Sequence, residues 1–192
     1  MDMRRPYHHG DLRNALLDAA RAILEEESLA GLSLRAVARR AGVSHAAPYR
    51  HFPNHEALLV ELAIEGFAEL RTEIVAAGAT AGAESDRIAN LGAAYMRFVA
   101  RRPALTRLMF GPQLPNRNSF PALGEAADAI GAEIGNALHD SALGLAVWAA
   151  VHGLATLILE NVIDLGQRRS GLDVLPSRAE ILLRSLFSVK RD

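Results

Sequence analysis

The sequence predicts an all-α protein of about nine helices on three observations. Apolar residues recur at three- and four-residue spacing along most of the chain. No stretch of useful length alternates apolar with polar residues as a strand would, and Gly, Pro and Asn gather between the periodic segments. With 192 residues, 50% of them hydrophobic, the chain is long enough for one large helical domain or two small ones.

Leu12, Leu16, Ala19, Ala20, Ile23 and Leu24 mark a first amphipathic helix over Asp11–Glu27, closed by Gly31. Ser33 is placed to cap a second helix whose inward positions are Leu34, Val37, Ala38 and Ala41, and Gly42 stops it. Ser44 is placed to cap a third helix ending near Phe52, after which Pro53 and Asn54 break the chain. A long fourth helix over Asn54–Ala77 carries Leu58, Leu62, Gly66, Leu70 and Ile74 in one stripe and has the character of a connecting rod. The Ala/Gly-rich stretch Gly78–Ser85 is a loop before a fifth helix, Asp86–Arg101, bearing Ile88, Leu91, Tyr95, Phe98 and Val99. Pro103 opens a sixth helix to Phe110. Gly111–Pro121, with three prolines and two asparagines, is a loop. Helices over Ala122–His139, Ser141–Leu165 and Pro176–Lys190 complete the count. The expected division is a head over residues 1–55 and a larger C-terminal domain over residues 56–192.

Net charge is −1, which by itself argues against a polyanion binder, but the charges are unevenly distributed. Ser28–His55 contains Arg35, Arg39, Arg40, Arg50, His45, His51 and His55 and no acid, whereas residues 57–192 hold 13 Lys or Arg against 15 Asp or Glu. The absence of cysteine excludes disulfides, thiol catalysis and thiolate metal sites and fits a reducing compartment. The N-terminal run has no apolar core of the signal-peptide kind, so the expected location is the cytoplasm. Leu143–Leu159 is almost wholly apolar and approaches the roughly 20 residues that span a bilayer. His152 in its middle, with no flanking Lys/Arg cluster, favours a buried helix and no membrane partner.

Leu32–Phe52 has the layout of a helix-turn-helix, with Gly42 supplying the positive φ of the turn and Val43 expected to pack with Leu34, Val37 and Ala38. The exposed face of the second member offers His45, Ala46, Ala47, Tyr49 and Arg50 to base edges of double-stranded DNA. Ser33, Ser44, Tyr49, His51 and His55 are placed for backbone phosphates, and Arg35 adds charge to the same patch. An Arg-rich solvated helix pair is the plainer interpretation. The glycine turn, two capping serines, the acid-free window and the Tyr and His beside the second helix together favour the DNA-binding one. The arm residues Arg4, Arg5, Tyr7, His8 and His9 suit either a minor-groove contact or a solvated tail. His8 and His9 lack spaced carboxylate partners, so no metal site is expected.

The same residues carry a family resemblance. Gly31–Leu58, including Tyr49, His51 and Phe52, resembles the DNA-binding signature of the TetR-type transcriptional regulators, and with the preceding helix the likeness covers roughly the first 60 residues. The resemblance implies an all-helical homodimer, a recognition helix in each subunit, and a C-terminal domain that binds a small-molecule effector and loosens DNA binding. Two positions depart from the pattern. Pro48 replaces an apolar residue before Tyr49, deletes one early helical hydrogen bond and disfavours helical backbone at Ala47. His55 stands where the family often has a phosphate-contacting lysine, so tighter operator binding is expected at pH 6 than at pH 8.

Trp148, His152 and Gly153 resemble the Trp-His-Gly subtype of C-terminal domain within that family. Trp148 and His152 lie one turn apart, and His152 is open to two interpretations, a satisfied core histidine or a hydrogen-bonding group at the end of a ligand cavity. Phe67, Leu70, Tyr95, Met96, Phe98, Leu108, Met109 and Phe110 are core by spacing and pocket wall by the resemblance. Small residues at Ala142, Gly144, Ala146, Ala149, Ala150 and Gly153 make Ser141–Leu165, with Pro176–Lys190, the expected dimer interface. Two subunits then place recognition helices about 34 Å apart to read a palindromic operator. The leading expectation is a ligand-responsive dimeric repressor without a cofactor, in which the ligand shifts the long helix from Asn54. A helix-turn-helix regulator without a ligand is the first alternative. A small helical enzyme is the second, unsupported by any His-Glu-x-x-His, Gly-x-Ser-x-Gly or phosphate-loop pattern.

Overall fold

The computed structural model describes residues 9–79, 82–114, 119–163, 181 and 185. Their order is α1 (His9–Gly31), α2 (Leu34–Arg40), a 3-10 turn (Pro48–Arg50), α3 (His55–Gly78), α4 (Glu84–Arg101), α5 (Pro103–Phe110), α6 (Pro121–Leu138) and α7 (Ser141–Leu159). Among the described residues there is no strand. Among the described residues, seven α-helices stand against the nine expected of the chain. The third expected helix is reduced to the 3-10 turn, and Pro176–Lys190 lies outside the described residues apart from Ile181 and Ser185, which are helical.

The chain divides into two compact units, Met1–Glu65 with Ala104–Phe120, and Gly66–Pro103 with Pro121–Asp192. In the first, α1 buries Leu16, Leu17, Ala19, Ala20, Ile23 and Leu24. Its regular helix breaks at Ser28, whose φ of 63° and ψ of −173° lie in a region that only glycine enters freely. Ser33 caps α2 by accepting the Ala36 amide at 3.1 Å. Gly42 takes φ +68°, and the paired bonds Gly42 N–H to Arg39 O (3.2 Å) and Val43 N–H to Ala38 O (3.0 Å) close the helix as a Schellman motif. Asn54 caps α3 through the Ala57 amide at 2.8 Å. Charge pairs join α1 to the first turns of α3: Arg13 to Glu61 at 2.6 Å and Arg21 to Glu65 at 2.5 Å.

In the second unit, α6 and α7 pack as an antiparallel pair joined by a turn in which His139 takes φ 55° and Asp140 caps α7 through the Ala142 and Leu143 amides. The close approach is made by Gly135 and Gly144: a Cβ on Gly144 would lie 2.5 Å from the Gly135 Cα. Arg71 pairs with Glu133 at 2.5 Å, Arg102 with Glu69 at 3.1 Å, and Arg101 with Glu73. Burial raises the Glu73 carboxyl above its ordinary range despite the Arg101 guanidinium.

Two expectations for α7 are revised. It ends at Leu159, not Leu165, because Asn161 adopts φ 55° and the Val162 and Asn161 amides turn back onto Leu157 and Ile158. It is also buried on one face only, through Gly144, Val147, Val151, Ala155 and Leu159, while Leu145 and Leu157 are exposed. Among the described residues this one helix is long and apolar enough to cross a membrane by length and composition.

Candidate nucleic-acid interface

The candidate interface begins with how α2 is oriented. Leu34, Ala36, Val37 and Ala38 are buried, so Arg35, Arg39 and Arg40 are left on its exposed side. After the Gly42 turn, Val43 is half-buried against expectation of a core position, and Ser44, His45 and Ala46 are exposed.

The segment meant as the recognition helix is not an α-helix. Ser44 accepts the Ala47 amide through its carbonyl at 3.0 Å, and Pro48–Arg50 form a single 3-10 turn closed by His51 N–H to Pro48 O at 2.9 Å. Pro48 has no amide to extend a ladder from Ser44 and instead occupies the first position of the turn, where a missing donor costs nothing. Ser44 is accordingly not a side-chain cap, a correction to its expected role. Ala47 corrects a second expectation: it keeps helical backbone, φ −61° and ψ −43°, although a proline follows it. Pro48 and Phe52 are buried, with Phe52 only 1% exposed, so the turn is anchored at its start and end while Tyr49, 53% exposed, and Arg50 project outward. His51 is half-buried with its ring tilted against Phe52, 6.4 Å between centroids.

Ser33, Arg35, Tyr49 and His55 share the lining of one open cleft of about 430 Å³ with Leu32, Leu34, Pro53 and Asn54. The cleft thus joins the start of α2 to the start of α3. Hydroxyl, guanidinium, phenol and imidazole donors around a solvent-open hollow suit an oxyanion such as a backbone phosphate. His45, Ala46, Ala47 and Arg50 lie outside that lining. Asn54 is a cap not expected from the sequence, although its place just ahead of an apolar-periodic run is the ordinary signature of one. Arg40 is engaged as well: its guanidinium holds both oxygens of Glu26 at 2.6 Å, which keeps that carboxyl below its usual range. Among the described residues, Arg35, Arg39 and Arg50 are in no ion pair.

The residues proposed for a ligand divide between the units. Met109 is buried and Phe110 half-buried in the first. Phe67, Leu70, Tyr95, Met96 and Phe98 are buried in the second, with Trp148 and His152 half-buried. Tyr95, fully buried, places its hydroxyl 2.7 Å from His152 Nδ1, with the rings edge to face at 84°. Burial pushes the phenol pKa up and the imidazole pKa down, so a protonated phenol donates to a neutral imidazole whose own proton is then on Nε2. The nearby Trp148 indole N–H opposes the shift of the phenol without reaching hydrogen-bond geometry, and Nε1 is buried with no partner. The Trp148 ring lies along α6, 3.2 Å from where a Cβ on Gly131 would be.

A capped α2, a left-handed glycine and an anchored 3-10 turn beside a cleft of Arg, His and hydroxyl groups give residues 33–55 a helix-turn-helix layout whose second member is one 3-10 turn. Known proteins then place the whole chain. Residues 16–62 match the model of bacterial regulatory proteins of the tetR family, and residues 88–172 match that of the tetracyclin repressor-like C-terminal domain, together about two thirds of the chain. The chain belongs to the TetR family of bacterial regulatory proteins. It is similar to the HTH-type transcriptional regulators Rv1816 of Mycobacterium tuberculosis and Mb1846 of Mycobacterium bovis, each 28% identical over 121 residues, which make up 61% of this chain and 52% of theirs. The match thus spans about half the length of those relatives. A Rhodococcus sp. RHA1 protein of unknown function is 32% identical, with a TM-score of 0.70 over 95% of this chain and 98% of that one. The transcriptional regulator FadR from Bacillus subtilis, solved in complex with stearoyl-CoA, shares the fold at 16% identity and TM-score 0.69, over 90% of this chain and 97% of that one.

Proposed function

We propose that the chain is a DNA-binding transcriptional regulator, a homodimeric repressor released from a palindromic operator by a small-molecule ligand. The observation that carries this reading is the shared cleft of Ser33, Arg35, Tyr49 and His55 beside the outward-facing turn residues. In it, those four side chains with Ser44 and His51 meet backbone phosphates, while His45, Ala46, Ala47 and Arg50 face base edges in the major groove.

The exposed apolar side of α7, with Ala142, Leu145, Ala146, Ala149 and Leu157, supports a second copy of the chain as its cover. Gly144, expected there, serves α6 of its own subunit instead. In the second unit, Phe67, Leu70, Tyr95, Met96 and Phe98, with Trp148 and His152, form the proposed effector wall. That a fold relative holds stearoyl-CoA supports an effector with a large apolar part. Trp148 and His152, one turn apart on α7, support the Trp-His-Gly subtype, and the work of such a regulator belongs in the cytoplasm, where the DNA is.

Selection of duplexes from random DNA by the purified chain, at several salt concentrations, tests the reading. A palindromic consensus whose affinity falls with salt is expected. Recovery of no consensus overturns it.

A further inference from the structure

We infer that Arg13, on α1 and outside the cleft, is a positioning residue for DNA reading, an inference that rests on the DNA-binding function proposed above. The turn that carries Tyr49 and Arg50 has little backbone support of its own. Between Ser44 and Phe52 the bonds are Ala47 to Ser44, Arg50 to Ala47, and the His51 and Phe52 amides converging on the single carbonyl of Pro48. A segment without a helical ladder takes its orientation from its buried anchors, and the C-terminal anchor is the Phe52 ring.

The Arg13 guanidinium sits over that ring, 5.7 Å from its centroid, within range of a cation–π attraction. The same guanidinium is held by the Glu61 carboxylate on α3 at 2.6 Å. One planar cation thus joins α1, the reading turn and α3, and a lysine ammonium has no fork with which to serve ring and carboxylate together. Glu61 keeps the cation from swinging off the ring, and Phe52 transmits its position to Tyr49, three residues earlier. Arg13 sets where the reading side chains stand without touching DNA.

The test uses the full chain and a fluorescent duplex carrying the palindrome that the unaltered chain selects from random DNA, beside a scrambled duplex of equal length. Arg13→Met keeps the aliphatic stem and removes the charge. It is expected to weaken the selected duplex by about three- to tenfold, with scrambled-duplex affinity and the slope of log affinity against log salt unchanged. Arg13→Lys recovers part of the loss, and Glu61→Gln combined with Arg13→Met is no worse than Arg13→Met alone. Arg13→Lys also answers the question should Arg13→Met fail to fold. A shallower salt slope makes Arg13 a direct phosphate ligand and overturns the inference. So does a lower melting temperature with unaltered affinity of the folded protein, which is what a merely stabilising residue gives. If the unaltered chain selects no duplex, the DNA-binding reading itself fails; if it does and the variants match it, only the role of Arg13 fails.

Discussion

Single residues with left-handed backbone decide where helices stop in this chain, and they do so with different costs. Gly42 and Ser28 both have positive φ, but Ser28 carries a Cβ into a region where a side chain costs on the order of 1–3 kcal/mol. Ser28→Gly is expected to raise stability by about 1 kcal/mol, read as a higher midpoint in chemical denaturation. Gly42→Ala is expected to lower it by about 1–2 kcal/mol. A Cβ on Gly42 would meet nothing within 4 Å, so that loss is purely a matter of backbone, and a Gly42→Ala chain as stable as its parent would contradict it.

At the scale of elements, Pro48 separates a turn from a helix. Pro48→Ala returns an amide donor to the segment, so helix is expected to grow from Ser44 toward Phe52, with a gain in helical circular dichroism and a changed base preference on renewed selection. An unaltered spectrum would mean that the buried anchors, not the missing amide, hold the 3-10 form. This is also where the limits of the sequence are clearest. The stripe Leu58, Leu62, Gly66, Leu70 and Ile74 was legible, and all five are buried, because one repeated spacing encodes it. The Ser33 cap and the Gly42 turn were legible because each is a local residue choice. The third helix was misread because Ser44 satisfies a capping pattern that Pro48 then prevents from propagating. The end of α7 was missed because Asn161 signals a stop only weakly amid apolar neighbours. Arg13 against Phe52, and Arg40 against Glu26, were not legible because such pairs form only once helices distant in sequence have packed.

For the whole molecule, the exposed side of α7 and the part-buried Tyr95–His152 pair have the widest reach. Leu145→Glu places a charge on the proposed subunit contact and is expected to give monomers in sedimentation and to weaken palindrome binding at least tenfold, since each head then binds alone. A dimer that survives would move the contact elsewhere. His152 is held by burial below its ordinary value of 6.5, so the unfolded chain binds its proton more readily than the folded one. Its contribution is complete above about pH 6.5 and is lost as pH falls from there toward the lower folded value. Denaturation midpoints from pH 8 to pH 5 are expected to fall less in His152→Gln than in the parent, and parallel profiles would remove His152 as the source.

The bidentate grip of Glu26 on Arg40 has a consequence in ion counting. A cation already matched by a carboxylate releases no counterion from DNA, so in the proposed role the head would offer fewer thermodynamically active arginines than its acid-free window displays. Glu26→Gln liberates that guanidinium, and every phosphate it then meets should steepen the fall of log affinity with log salt by about 0.9. Titrations across a potassium chloride series would read this directly, and an unchanged slope would place Arg40 beyond reach of the duplex. In the proposed role, the acid lying outside the basic window thus governs salt sensitivity through the one cation it holds.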